Sequence, residues 1–343
     1  MLATLSLARS GLDRAAHRRD EAGLVGTLLN RPTTRVLVLI GDQAVVTTDD
    51  AAPALVLRPG PELAHLGDRL GDAGAGAAGG TAGVMVGDGA GDPAAASPLT
   101  AYLGTDAAGH DHVLIALPPG GRSAEDASPP ADGTSRLAVL REVGAGLDDT
   151  DAGLFTCALA LANWHATHPR CSRCGAPTRV AAAGWTRRCP ACATDHFPRT
   201  DPAVIMSVVD EQDRLLLGHQ AVWPDKRFST LAGFVEPGES LEAAVRREVG
   251  EEVGLEVGEV AYQGSQPWPF PSSLMLAFRA RALTTQIRVD GDELEQARWW
   301  SREELALDVA TGELLLPPPL SVSRSLIEQW FGGPIRDAGA SWR

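Results

Sequence analysis

No stretch of the 343-residue chain is apolar for long enough to cross a membrane. Residues 1–10 lack the long apolar core that follows a basic start in an export signal, and the basic stretch 14–19 is not followed by one either. The expectation is therefore a cytoplasmic chain with no membrane partner. Positive charge is also scarce: 30 basic residues face 44 acidic ones, a formal charge of −14. That balance argues against general binding to a nucleic-acid backbone, though it leaves room for a local basic patch that contacts RNA. Cysteine is sparse too, with five in all. What remains is ordinary for globular protein, 44% hydrophobic, with length for two or three domains.

Within that frame one segment, residues 233–255, concentrates chemistry. Ser240 is placed to cap a helix that begins at Leu241, and Glu248 and Glu252 then fall four residues apart on one face, with Glu251 three from Glu248. Like charges at that spacing repel, and a hard cation accepting oxygen ligands turns the repulsion into binding. Mg²⁺ or Mn²⁺ suits such a site because either ion also grips phosphate oxygens. Val245, Val249 and Val253 form a neighbouring apolar stripe that holds the helix to a core. Arg247 is positioned to orient the glutamates. Gly233 and Gly238 permit backbone geometries that bring a main-chain carbonyl, such as that of Ala232, towards the metal. The alternative is a solvated acidic helix.

Nine positions define the pattern: Gly233, Glu239, Arg247, Glu248, Val249, Glu251, Glu252, Gly254 and Leu255. It resembles the Nudix box in each of them. Resemblance to the Nudix hydrolases implies an α/β fold, an α/β/α sandwich around a mixed sheet, and hydrolysis of a nucleoside diphosphate linked to another moiety.

Four cysteines form Cys171-Ser-Arg-Cys174 and Cys189-Pro-Ala-Cys192, and this spacing matches four-thiolate zinc sites. Disulfides are the competing reading, disfavoured in a reducing compartment. Four thiolates leave zinc no open position, so the ion is a structural staple. Cys157, in an apolar helical run, reads as a buried core residue. His165, His168 and His196 flank the ribbon and read as structural or surface groups, and nothing fixes a role for His219.

The ribbon divides the chain. Residues 1–150 read as an α+β domain with strands at 35–41, 43–48 and 112–117, a loose Gly/Ala-rich insertion at 71–98 and a mobile connection at 120–135. Residues 151–199 supply a linking helix and the ribbon, 200–335 the hydrolase domain, and 336–343 a tail. Strands are expected at 201–210, 214–219 and 274–282, a short one from Arg298, and a terminal helix at 321–331.

The second signal is a loop, Ser265-Gln266-Pro267-Trp268-Pro269-Phe270-Pro271-Ser272-Ser273. Prolines stiffen it, two rings offer flat surfaces, and Gln266 and the serines offer hydrogen bonds. Composition alone leaves open whether it grips a two-ringed substrate or packs Trp268 inward. Placed after the box, the run is similar to the signature of the NADH pyrophosphatase subgroup. The likeness takes in the ribbon, the stretch from Phe197 to Ile205, the box, this loop and the run from Leu315 through three prolines, covering about residues 136–331.

The resemblance implies cleavage of NAD(H) into NMN(H) and AMP, removal of the NAD cap from RNA 5′ ends, and a homodimer. It carries catalytic and metal roles to Glu248, Glu251, Glu252 and Arg247, with the Ala232 carbonyl and Glu293 as further Mg²⁺ or Mn²⁺ ligands. Cys171, Cys174, Cys189 and Cys192 correspond to the zinc set. Substrate contacts fall on Phe197, Phe234, Gln266, Pro267, Trp268, Pro269, Phe270, Pro271, Ser272, Ser273, Ser323 and Arg141. Phe197 departs from the family's tyrosine, which keeps stacking and removes a hydroxyl. The competing functions are a Nudix hydrolase of ADP-ribose or a nucleotide sugar, and a nucleotide-sensing, nucleic-acid-binding regulator with a disabled site.

Overall fold

A computed structural model describes residues 1–2, 5–49, 52–66, 98–120, 122–129, 133–289, 291 and 293–336. The insertion expected at 71–98, apart from its last residue, and the tail beyond 336 lie outside the described residues. The chain separates into two compact units, one of Met1–Ala8, Thr200–Trp268 and Ser273–Arg343, the other of Arg9–Arg199 and Pro269–Ser272.

The first unit is built on the strand Asp201–Val209, whose side chains alternate between two buried layers. Val204, Met206 and Val208 face the helix Leu241–Val253 and meet its Val245, Val249 and Val253. Ile205 faces the opposite layer, with Ala277, Leu5, and Val322 and Leu326 of the helix Val322–Phe331. A sheet between two helical layers follows from that alternation. Each buried valine contributes about 1.5–3 kcal/mol, so the stripe holds the acidic helix in place.

The six-stranded sheet runs in the order Val257–Trp268, Ser273–Ala282, Asp201–Val209, Leu215–His219, Gln296–Trp300, with Leu231–Phe234 also paired to Asp201–Val209. It is mixed: Asp201–Val209 runs parallel to Ser273–Ala282 and antiparallel to its other partners. The expected loop at 265–273 is shorter than its sequence suggests. Ser265 through Trp268 pair with Leu276 back to Ser273, leaving only residues 269–272 as a turn. Proline is tolerated at Pro267 because this strand lies at the sheet edge.

In the second unit a seven-stranded sheet includes Arg35–Ile40, Gln43–Thr47, Leu99–Asp106, Asp111–Leu117 and Ser135–Val139. Its core gathers Leu28, Val36, Val38, Tyr102, Val113 and Ile115. The strand at 99–106 is an element the sequence reading does not place, and the helix Arg122–Ala127 falls within 120–135, where a mobile connection is expected. The helix Asp149–Thr167 starts where the Asp148 carboxylate accepts the Asp151 N–H at 2.8 Å. Behind it comes the ribbon, a three-stranded sheet of Arg179–Ala181, Thr186–Arg188 and Asp195–His196. His165 ties helix to ribbon, with Nε2 donating to the Gly184 carbonyl (2.9 Å) and Nδ1 accepting from Arg187 (3.0 Å).

Candidate active site

The acidic helix begins as its cap predicts: the Ser240 hydroxyl accepts the Ala243 N–H at 3.2 Å, and Gly254, with φ of 66°, ends it. Glu248 and Glu252 are buried on the face beside the valine stripe. Glu293, exposed on a downstream loop, joins them, and ligand oxygens of all three lie within 4.8 Å of one another. Glu251 is not part of that gathering. One of its oxygens accepts from Arg247 Nη1 at 2.9 Å, and its side chain is largely exposed.

Arg247 organises the surroundings. Nη1 also donates to Glu248 Oε1 (2.9 Å), Nη2 to the Phe234 carbonyl (2.9 Å) and Glu239 (2.7 Å), and Nε to the other Glu239 oxygen (3.2 Å). These bonds lock the loop before the helix onto the helix. Hydrogen bonding to Glu239, then to Glu251 and Glu248, raises the guanidinium's pKa, so it stays charged. Burial pushes the Glu248 carboxyl above the usual carboxylate range, with Glu251 and Glu293 adding repulsion that Arg247 only partly offsets.

Two observations test whether a divalent cation fits. Three carboxylates converge, two of them buried, which is costly unless positive charge is supplied. The Glu248 carboxylate also lies against the bare Cα of Gly233, so that a Cβ there would stand 1.9 Å from Glu248 Cδ. That cradle fits an ion site of oxygen ligands. Ala232, one residue earlier, lies on the same strand, opposite Ile205.

The four cysteines also converge, with Sγ atoms within 4.8 Å and the pairs Cys171–Cys192 at 3.6 Å and Cys174–Cys189 at 3.5 Å. Tetrahedral thiolates about 2.3 Å from zinc are separated by roughly 3.8 Å, so the set fits that ion. The two knuckles repeat one backbone pattern: Gly175 N–H bonds to the Cys171 carbonyl, and Ala193 N–H to that of Cys189. His196 Nε2 lies 3.3 Å from Cys171 Sγ, beside the thiolates. Cys157 is buried, as expected, and Arg14 donates to its sulfur at 3.0 Å.

The proposed substrate residues divide by environment. Phe197 and Phe234 are exposed (69% and 62%), and Pro267 and Pro271 are also at the surface. Trp268, Phe270, Ser272 and Ser273 are half-buried, and Pro269 is buried. Arg141, on the short helix Leu140–Val143, holds its guanidinium 4.0 Å from the Phe270 ring centroid. Gln266 is fully buried, its amide accepting the Leu7 N–H and donating to the Leu320 carbonyl, both at 3.0 Å. The Ser323 hydroxyl is likewise engaged inside, with Ser229 and with Thr230 through its N–H and its hydroxyl. Sequence reading missed Asn163, whose amide donates to the carbonyls of Pro269 (3.0 Å) and Pro271 (3.2 Å). Its place four residues before Thr167 on a helix gives no signal of that reach. His219 is buried, with Nδ1 2.8 Å from the Arg227 carbonyl, on the wall of a cavity of about 980 Å³ that none of the gathered glutamates lines.

A mixed sheet between helices, with glutamates on the helix after Gly233, accompanies two family matches: residues 199–316 of the chain match the NUDIX domain, and residues 166–197 the NADH pyrophosphatase zinc ribbon domain. Among named proteins it is similar to the NAD-capped RNA hydrolase NudC of Mycobacterium bovis, 46% identical over 200 residues that make up 56% of this chain and 64% of that protein. The human NAD-capped RNA hydrolase NUDT12 is 42% identical over 198 residues, 54% of this chain and 43% of that protein. The chain thus spans 64% of the first relative and 43% of the second. Of solved structures, a NUDIX hydrolase from Nitrosomonas europaea aligns at 25% identity and a TM-score of 0.38, covering 48% of this chain and 94% of that one. Among the described residues no helix is long and apolar enough to cross a membrane.

Proposed function

We propose that the chain hydrolyses the pyrophosphate of NAD(H) to NMN(H) and AMP, and that an NAD-capped RNA 5′ end is a second substrate of the same site. The observation that carries this reading is the convergence of Glu248, Glu252 and Glu293 on a Nudix helix, in a chain that also bears the NADH pyrophosphatase ribbon.

Glu248, Glu252 and Glu293 would hold Mg²⁺ or Mn²⁺, with Glu251 and the Ala232 carbonyl completing the proposed set. When bound, the ion supplies neutralisation of phosphate oxygens and a lowered pKa for the attacking water. Arg247 keeps Glu248 in register with the loop at 233–239. A glutamate of the set accepts the water's proton, and Glu252 is the strongest determinant of activity. Phe197, Phe234, Trp268 and Phe270 offer rings for stacking, and Arg141 braces Phe270. Gln266 and Ser323, whose side chains are engaged inside the protein, act by holding the backbone that meets the substrate. The same reading includes a cytoplasmic homodimer, which light scattering tests.

Chromatography of NADH incubated with Mg²⁺ or Mn²⁺ is the direct experiment, with ADP-ribose in parallel. NMNH and AMP are the expected products, lost on Glu252→Gln. Faster cleavage of ADP-ribose without NMNH from NADH overturns the reading in favour of another Nudix substrate.

A further inference from the structure

The zinc ribbon has the opposite charge to the chain that carries it. Residues 166–197 hold five arginines (170, 173, 179, 187 and 188) and one acidic residue, Asp195, a formal +4 that a four-thiolate zinc centre of charge −2 would reduce to +2, in a chain of −14. Arg187 is buried and used internally, bonded to His165 and Thr178. The others are exposed.

The sheet register places two of the exposed arginines together. Arg179 on the first ribbon strand is the direct cross-strand partner of Arg188 on the second, so both project from one face. Arg187 and Val180 alternate to the other face. Like charges directly opposite on antiparallel strands destabilise a sheet. Asp195 lies opposite Arg188 and 3.7 Å from it, in a solvent-exposed pair that contributes little. The Arg179–Arg188 pair therefore costs the sheet stability, a cost that a ligand with regularly spaced negative charges would offset.

Two neighbouring features narrow the ligand class. Trp185, next to the second ribbon strand, carries the Arg19 guanidinium 3.5 Å from its ring centroid and that of Arg14 at 5.5 Å, so two further cations lie against the ribbon. Phe197, one residue past the third ribbon strand, presents an exposed ring. Cations that track phosphates, with an aromatic ring free to stack an unpaired base, are the chemistry of single-strand recognition.

We infer that the exposed ribbon face of Arg179 and Arg188 binds the phosphate backbone of the single-stranded RNA whose 5′ end is processed by the catalytic unit. This rests on capped RNA being a substrate, and it assigns the ribbon a role in choosing between free dinucleotide and RNA, beyond stapling the chain.

The test uses the full chain with Arg179→Glu/Arg188→Glu and, separately, Arg179→Lys/Arg188→Lys, each checked for zinc content. For each, kcat/KM is measured on NADH and on an NAD-capped single-stranded oligonucleotide. Binding of the same oligonucleotide bearing a 5′-monophosphate is followed by fluorescence anisotropy between about 50 and 200 mM salt. The glutamate variant loses roughly tenfold or more in oligonucleotide affinity and in capped-RNA kcat/KM, while NADH hydrolysis stays within about twofold. Its salt slope falls by at least about 1.4, two single-strand phosphate contacts, and the lysine variant keeps the wild-type slope. Unchanged oligonucleotide binding in the glutamate variant overturns the inference. So does a parallel loss on NADH, which marks a structural role, or equally tight binding of polyglutamate by the wild type, which marks a general polyanion surface. If the wild type binds the oligonucleotide through these arginines yet cleaves no cap, the proposed RNA substrate fails and the surface stands.

Discussion

One added methyl group tests the glutamate cluster. The sequence suggested that Gly233 and Gly238 serve backbone geometry, and Gly238, with φ of 95°, does. Gly233 is needed for room instead, because its Cα is where the Glu248 carboxylate lies. Gly233→Ala should push Glu248 out of register, lowering kcat/KM on NADH by about 10–100-fold, the loss expected when groups bearing on a metal site are displaced. Titration of activity against Mg²⁺ should show a higher half-saturating concentration, and an unchanged titration curve would remove Glu248 from the ligand set. A second single-residue test lies in the ribbon. Gly175 and Ala193 hold equivalent places after their knuckles with φ of 75° and 58°, and only glycine adopts that region without strain. Ala193→Gly should stabilise the second knuckle by roughly 0.5–1 kcal/mol, the ~1–2 kcal/mol left-handed penalty less the ~0.5–1 kcal/mol entropic cost of glycine, read as slower release of zinc to a chelator.

At the scale of elements, the sequence was most legible where pattern and cap agreed. Ser240, three buried valines and Gly254 delimit the acidic helix as the spacing predicts, and the strands at 201–209 and 215–219 pair as their apolar runs suggest. The substrate loop was only half legible: its prolines read as loop, yet an antiparallel partner draws Ser265 through Trp268 into a strand, which no local signal specifies. The gathering of Glu293 with Glu248 and Glu252 was accessible only through resemblance, because Glu293 lies 41 positions beyond Glu252 in the sequence. Asn163 shows the same limit. Asn163→Ala should loosen the turn at 269–272 and raise KM for NADH several-fold with kcat within about twofold, since it removes two net hydrogen bonds worth about 1 kcal/mol each.

The joint between helix and ribbon carries its own pH dependence. Burial, reinforced by Arg187, pushes the His165 pKa from 6.5 down to about 4. The unfolded chain therefore takes up this proton first, so the stability contribution is complete above 6.5 and is lost as pH falls from 6.5 towards 4. Thermal unfolding of His165→Gln and wild type, compared across that window, should show a shallower decline for the variant. Identical slopes would mean that His165 is not the titrating group.

For the whole molecule, the assignment of residues to units departs from their order along the chain. Leu5 and Leu7 are buried, Leu5 with Ile205, Val322 and Leu326, and the Leu7 N–H is bound by Gln266. Removal of residues 1–8 should thus destabilise the hydrolase unit, by about 3–6 kcal/mol if both leucines lose their full burial. Denaturation followed by loss of NADH hydrolysis should show it, and an unshifted midpoint would refute the packing. At a synthesis rate of roughly 5–20 residues per second, the helix Val322–Phe331 leaves the ribosome on the order of 15–60 seconds after Leu5. During that interval residues 1–8 have no bed to lie in, while Arg9–Arg199 already contains nearly all of its own unit. Vectorial synthesis thus makes residues 1–8, which precede the rest of their unit by nearly two hundred positions, among the last to settle.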